Sequence, residues 1–348
     1  MSALERARAH WTVLADGTVE RLRGGLINET HLVTSAAGRF VLQRLHPVFD
    51  PAMHRNIAAV TGHLAEKGMV TPRLVPTDDG ALFIDLGHDG VWRVITHVPG
   101  HTFDAAQNPA QLASAAELVG RFHAALDDLD HEFVGLRAGV HDTEAHLATL
   151  RDALDDHRAH RLFAEVDPLA NTLLSAFDEL DPLPDLPPRI AHGDLKLSNV
   201  MFEGGEPPGS SRAVCLIDLD TLAPMALAFE LGDAWRSWCN PNREDTGEVR
   251  FDLALFEASW RGYVVGYGEP ISPELRHALL LGVEHIGLEL TARFLADALA
   301  ESYFGWDAER FATRGDHNLV RAKGQWALFR AARDCRADRA AILEVGPI

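Results

Sequence analysis

The run Ile190-Ala-His-Gly-Asp-Leu-Lys-Leu-Ser-Asn-Val-Met-Phe202, followed by Ala213-Val-Cys-Leu-Ile-Asp-Leu-Asp220, decides how the rest of the chain is read. An apolar lead-in delivers His192, Gly193 and Asp194 into a loop. Asn199 follows after four intervening residues, just before the apolar Val200-Met201-Phe202. Gly204 to Ser211 is a turn by its Gly, Pro and Ser content, and the β-type run after it ends in Asp218. A turn capped by an asparagine accounts for the first stretch taken alone. It does not account for the order of loop, asparagine, short strand, turn, strand and aspartate.

Asp-x-x-x-x-Asn is the spacing of the protein-kinase catalytic loop, in which the Asp accepts the proton of the attacking hydroxyl and the Asn holds magnesium. Phosphoryl transfer calls for these residue types because the reacting group carries several negative charges, and catalysis is mostly positioning and charge neutralisation. Asp194 is therefore the expected base, and Asn199 and Asp218 the expected magnesium ligands. Lys196 is expected either to neutralise charge on the transferred group or to be a surface lysine.

The segment His192 to Asn199, with Ile217-Asp-Leu-Asp220, resembles the aminoglycoside phosphotransferase and choline kinase superfamily of small-molecule kinases. More narrowly, Leu26-Ile-Asn-Glu-Thr30, Phe40-Val-Leu-Gln-Arg44, Ile217-Asp-Leu-Asp-Thr221, Arg293-Phe-Leu-Ala-Asp297 and His317-Asn-Leu-Val-Arg321 are similar to stretches of bacterial N-acetylhexosamine 1-kinases. The resemblance runs from Gly24 to Arg321. It implies an α+β, protein-kinase-like, two-lobed fold: a mainly β nucleotide-binding lobe over residues 1–98 and a mainly α catalytic and substrate-binding lobe over residues 99–348. It also implies ATP and Mg2+ as cofactors. Asp220 and Arg293 are placed near the acceptor by the same resemblance, Asp220 either to bind a sugar hydroxyl or to help order the magnesium shell, with Tyr303 and Arg321 as further pocket candidates.

At 348 residues and 47% apolar content the chain can bury a full core. Charges interrupt every apolar stretch before it could span a bilayer, and Met1 to His10 lacks a signal-peptide core, so a soluble cytoplasmic protein is expected. Three scattered cysteines argue against a disulfide framework, and the 18 histidines show no metal-ligand spacing. A formal charge of −19 argues against nucleic-acid or anionic-membrane partners. The expected partner is a small-molecule sugar, and no stretch marks an obligate protein partner.

Thr18 to Leu22, Thr30 to Ser35 and Phe40 to Leu45 read as strands. The turn between the first two would cover phosphates, with Gly24, Gly25 and Asn28 at the nucleotide; an ordinary hairpin turn is the alternative. Kinases carry a lysine on the third strand, paired with a glutamate on the next helix. Here Gln43 and Asn56 stand in those places. Gln43 can still donate a hydrogen bond to phosphate, and a neutral pair avoids a lone buried charge. The missing pair also keeps a non-catalytic nucleotide sensor open as an alternative.

Ala81 to Asp85 and Val91 to Val98 suggest a hairpin, after which Val98-Pro-Gly-His101 breaks the pattern. The backbone of Thr96 and Val98 would meet adenine at that hinge. Helical periodicity begins at Asn108, with Pro109 at the first helical position, and Pro168 to Leu180 reads as another helix. The helix around Phe229-Glu-Leu-Gly-Asp233-Ala-Trp-Arg236 is expected to brace the catalytic loop through Glu230 or Asp233. Arg293 either pairs with Asp297 four residues on or contacts the sugar, as the resemblance implies. An N-acetylhexosamine phosphorylated at its anomeric hydroxyl is the expected acceptor, since a hemiacetal hydroxyl asks less of a carboxylate base. An aminoglycoside or other amino alcohol is the alternative.

Overall fold

Alternation of apolar and polar residues builds the N-terminal sheet, and the computed structural model shows which face is which. It describes residues 1–22, 28–137, 139–204, 212–242 and 249–345. After helix α1 (Ala3–Arg8), the strands β1 (Thr18–Arg21), β2 (Glu29–Ser35), β3 (Gly38–Arg44), β4 (Ile84–Asp85) and β5 (Val91–Thr96) form an antiparallel sheet in the order β1-β2-β3-β5-β4. Val33, Leu42, Trp92 and Val94 pack on one face, where Trp11 and Leu14 cover them. The opposite face carries a polar row: Thr30 lies opposite Gln43, and Gln43 opposite Arg93. Helix α2 (His54–Glu66) connects β3 to β4 and rests on the helical part.

The helical part contains α3 (Pro109–Leu126), α4 (Thr143–Asp156), α5 (Phe163–Asp178), α6 (Leu227–Trp238), α7 (Leu253–Tyr267), α8 (Pro273–Ala300), α9 (Arg314–Asp334) and α10 (Arg336–Glu344). Two small antiparallel pairs are set into it: β6 (Arg189–Ala191) with β9 (Ala223–Met225), and β7 (Val200–Phe202) with β8 (Ala213–Leu216). This is the α+β, kinase-like arrangement expected from the sequence, a β-rich N-terminal part followed by a helical one. Among the described residues no helix is long and apolar enough to cross a membrane.

Asn108 caps α3 by accepting the Gln111 N–H at 2.9 Å, with Pro109 in the first turn, as read from the sequence. Helix α5 differs from expectation, because it starts at Phe163 and contains Pro168 instead of starting there. Val166, Ala170 and Leu173 are fully buried at helical spacing, and their packing carries the helix upstream through the proline.

Two close approaches position the site. The chain leaving β5 is pinned to β7: His101 N–H donates to Phe202 O at 3.1 Å, and Phe202 N–H to His101 O at 2.8 Å. Helices α3 and α7 lie so near each other that a Cβ on Gly266 would fall 1.9 Å from Glu117 O. Gly266→Ala is therefore expected to push α7 off α3, costing about 1–3 kcal/mol by overpacking. Thermal denaturation checks this, and an unchanged Tm would show that the helices can part without loss.

Candidate active site

The loop that carries Asp194 is shaped by one glycine and one buried acid. Gly193 has φ +81°, and a Cβ there would meet Thr221 O at 2.5 Å, so only glycine fits without strain. His192 is fully buried, with Nε2 2.9 Å from Ile217 O, and its own carbonyl accepts the Thr221 hydroxyl at 2.8 Å. Glu230 on α6 accepts the N–H groups of His192 at 2.8 Å and Gly193 at 3.0 Å. Of the two acids considered for bracing the loop, Glu230 is the one in contact with it. Burial pushes the Glu230 carboxyl up, but the His123 and His192 rings outweigh it and hold the pKa below the ordinary value.

Asp194 leaves this loop with its carboxylate partly open to solvent. Lys196 Nζ donates to Asp194 Oδ2 at 2.7 Å, and Asn199 Nδ2 donates to the same oxygen at 3.0 Å and to Asp194 O at 2.8 Å. Burial works to lower the Lys196 pKa, yet the carboxylates of Asp194, Asp218 and Asp233 leave it raised. Asn199 is buried, and with its Nδ2 so used its Oδ1 stays available as a ligand atom. Asp218 sits in the left-handed region, φ 64° and ψ 58°, a costly conformation for a non-glycine residue. Its side chain is open to water, but crowding by protein desolvates it and, with the Asp220 carboxylate nearby, raises its pKa.

Asp194 and Asp218 both lie near a single ammonium, that of Lys196, a balance of charge that suits a divalent ion. Among the described residues no three His, Cys, Asp or Glu side chains form a metal cage. Asn199 and Asp218 nonetheless fit magnesium, which is usually bound through one or two protein ligands together with phosphate oxygens and water.

On the nucleotide side the structure redraws several expectations. Gly24 and Gly25 lie outside the described residues. Gln43, expected at phosphate, has its amide committed within the protein: Oε1 accepts from Arg93 Nε at 3.0 Å and Nη2 at 2.8 Å, and Nε2 donates to Thr30 Oγ1 at 3.2 Å. Asn28, also expected at the nucleotide, donates to Asp220 Oδ2 at 2.7 Å and accepts the His46 N–H at 2.9 Å. Thr96 is unsuited to the adenine edge, because its N–H donates to Arg73 O and its hydroxyl accepts the Arg73 N–H, both at 2.9 Å. Val98, just past β5, has neither its N–H nor its C=O bonded among the described residues. On α2, burial and then the Arg93 guanidinium push the His54 imidazole down to about 4, so that helix presents a neutral ring here.

Asp220, expected at the acceptor, is buried instead in an ion pair. Arg93 Nη1 lies 2.6 Å from Asp220 Oδ1, with both side chains almost wholly enclosed. The N–H points off the line of contact, so the attraction is between charges more than a directed hydrogen bond.

The wall on the other side of Asp194 is polar and mixed in sign. Asp233 accepts from Arg236 Nε at 2.8 Å, and its pKa is lowered because Arg236, His141 and Arg293 together overcome its burial. The His141 ring stacks on Phe229 at 5.0 Å and lies 3.0 Å from Glu289 Oε1, while Thr143 donates to Glu289 Oε2 at 2.7 Å. Arg293 reaches this wall, 3.8 Å from Glu289 Oε1 and over the Phe304 ring at 5.5 Å. It does not pair with Asp297. That carboxylate folds back over the end of α8 to accept the N–H groups of Ser302, Tyr303 and Phe304 and the Asn318 amide. Tyr303 is half exposed and bonds Arg137 through its hydroxyl, and Arg321 donates to Gly305 O at 2.9 Å. Both shape the loop after α8, while Arg293 belongs to the mixed-charge wall itself.

The sequence profile of the phosphotransferase enzyme family matches residues 18–264. The chain belongs to that family. Its relatives include a homoserine kinase of Neisseria meningitidis serogroup B, 25% identical over 249 residues that cover 71% of this chain and 73% of that protein. An aminoglycoside phosphotransferase from Alicyclobacillus acidocaldarius superposes over 96% of both chains, with 19% identity and a TM-score of 0.59. An amicoumacin kinase, solved with AMP-PNP, Ca2+ and Ami, covers 96% of this chain and 92% of its own, with 12% identity and a TM-score of 0.60. At these identities the structural likenesses speak for the fold.

In this phosphotransferase the sequence reading passed over Arg93, His141 and Glu289. Arg93 did leave a signal, as the one charge in the run Val91 to Ile95, and Glu289 a weaker one, four residues before Arg293 on the same helical stretch. His141 left none, since the loop that presents it has no periodicity.

Proposed function

We propose that this phosphotransferase moves the γ-phosphoryl group of ATP, with magnesium, onto a hydroxyl of a free sugar, an N-acetylhexosamine at its anomeric position. The observation that carries the reading is Asp194, a carboxylate held by Lys196 and Asn199 beside a second carboxylate on Asp218. Asp194 takes the proton of the acceptor hydroxyl as the new O–P bond forms and the bond from γ-phosphorus to the ADP oxygen breaks. Asn199 Oδ1 and Asp218 would hold magnesium, which when bound neutralises phosphate charge. Lys196 offers its ammonium to the transferred group. Residues 1–98 would bind the nucleotide, the Val98 backbone meeting the adenine edge, and residues 99–348 the acceptor.

Support for a polyhydroxylated acceptor comes from Asp233, Arg236, His141 and Arg293, partly open side chains of both signs that offer a sugar donors and an acceptor, with the buried Glu289 holding His141 from behind. The Neisseria relative favours a second reading, homoserine, whose ammonium and carboxylate would meet the same alternation. ADP release should be measured with magnesium and ATP across N-acetylglucosamine, N-acetylgalactosamine, homoserine and kanamycin, with phosphorus NMR on the product. An anomeric phosphate doublet with the N-acetylhexosamines is the expected result. Turnover of homoserine alone, or of kanamycin alone, would overturn the sugar assignment.

A further inference from the structure

Neither half of the usual pair of strand cation and helix acid stands in its expected place, and the structure holds another ion pair nearby. Thr30, Gln43 and Arg93 sit side by side on β2, β3 and β5, on the sheet face opposite the Trp11 core. Gln43 grips two nitrogens of the Arg93 guanidinium and is itself held by Thr30. A planar fork clamped at one side can point its remaining nitrogen in only one direction. That nitrogen, Nη1, lies 2.6 Å from Asp220 Oδ1, and Asn28 holds the other carboxylate oxygen at 2.7 Å.

Asp220 belongs to the short turn that follows Asp218. Thr221, next in that turn, bonds the His192 carbonyl and crowds Gly193. A continuous line of contacts therefore runs from the sheet, through Arg93, to the segments that carry Asp218 and Asp194. On α2 the facing group is the neutral His54, so Asp220 is the acid opposite Arg93.

We propose that Arg93 and Asp220 are positioning residues that replace the missing lysine and glutamate: the cation has moved from β3 to β5, and the acid from α2 to the turn after Asp218. The pair ties the sheet that covers the nucleotide to the metal-ligand segment, and so fixes where Asp218 presents its carboxylate. Gln43 serves as the clamp for the cation and not as a phosphate ligand. The inference rests on the kinase reading above, because it assigns Asp218 to magnesium.

The test separates a positioning role from a structural one. A buried charge left without its partner destabilises a protein, so Arg93→Met alone is expected to lose stability, whereas Arg93→Met with Asp220→Asn removes both charges and keeps the fold. The first readout needs no acceptor: the rise in Tm caused by ATP, titrated against magnesium. The double variant is expected to need at least tenfold more magnesium for half of the effect. The second readout is steady-state ADP release, in which kcat is expected to fall at least tenfold while the acceptor KM stays within twofold. Arg93→Lys, which keeps the charge but loses the fork, should fall between. A folded double variant with the wild-type magnesium requirement and kcat would overturn the inference and leave the kinase reading standing. A change confined to the acceptor KM would overturn it too. A wild-type protein that magnesium and ATP do not stabilise would overturn both.

Discussion

Asp194→Asn is expected to leave the protein folded and able to bind ATP while lowering kcat by at least ~10²-fold. The substitution keeps the shape of the side chain, so the hydrogen bonds around it can persist in form: Lys196 still faces an oxygen, and Asn199 still donates to the Asp194 backbone carbonyl at 2.8 Å. What is lost is the negative charge, and with it the ability to take a proton. Lys196 is half exposed, so losing the opposing charge leaves it hydrated and not stranded, and little stability is at stake. The prediction is checked by steady-state ADP release beside an ATP-dependent Tm shift. Loss of turnover with the shift retained assigns Asp194 to the chemical step. Unchanged turnover would remove it from the mechanism. A wild-type protein that binds ATP but turns over no acceptor would favour the sensor reading, which has no need of the base.

What the sequence made legible was local, and what it hid was long-range. That Asp194, Asn199 and Asp218 lie near one another was legible, because the loop and the hairpin that carry them are continuous in the chain, so spacing alone carries the geometry. Asn108 and Pro109 announced the start of α3 for the same reason. Gln43, Asn28 and Asp220 have the residue types a ligand would want, yet each bonds a protein group whose position depends on how the sheet meets the helical part. A residue type states which bonds are available and not which partner takes them. Thr96 shows this at the level of backbone: its N–H was spent on Arg73, from a segment that carries no strand pattern. Pro168 misled in the opposite sense, because a local rule about where prolines sit gave way to the burial of Val166, Ala170 and Leu173. Glu230 was recognised as one of two bracing acids, and only the fold could choose between it and Asp233, which lie on one helix within a single turn.

That choice carries the second large effect. Glu230 is almost wholly buried and accepts two backbone N–H groups, from His192 and Gly193, with its two oxygens. Glu230→Gln replaces one acceptor by an NH2 donor, so one of those N–H groups must face another donor. A buried unpaired donor costs about 1–3 kcal/mol, and Glu230→Ala, which strands both, should cost about twice that. The loss falls on the turn that holds Gly193 at φ +81°, so the loop carrying Asp194 should lose its fixed direction along with its stability. Both Tm and kcat are therefore expected to drop for Glu230→Ala, with Glu230→Gln intermediate and the ATP-dependent Tm shift retained in each. Asp233→Asn is the control for stability, since Asp233 does not touch the loop and its contact is with Arg236. A Glu230→Ala protein with unchanged Tm and kcat would mean that Thr221 and His192 hold the loop by themselves. The signature distinguishes the two acids of the site: removing the Asp194 charge should cost rate without stability, and removing the Glu230 charge should cost both, because in the proposed reaction one carboxylate faces the substrate, and the other holds the loop that carries it.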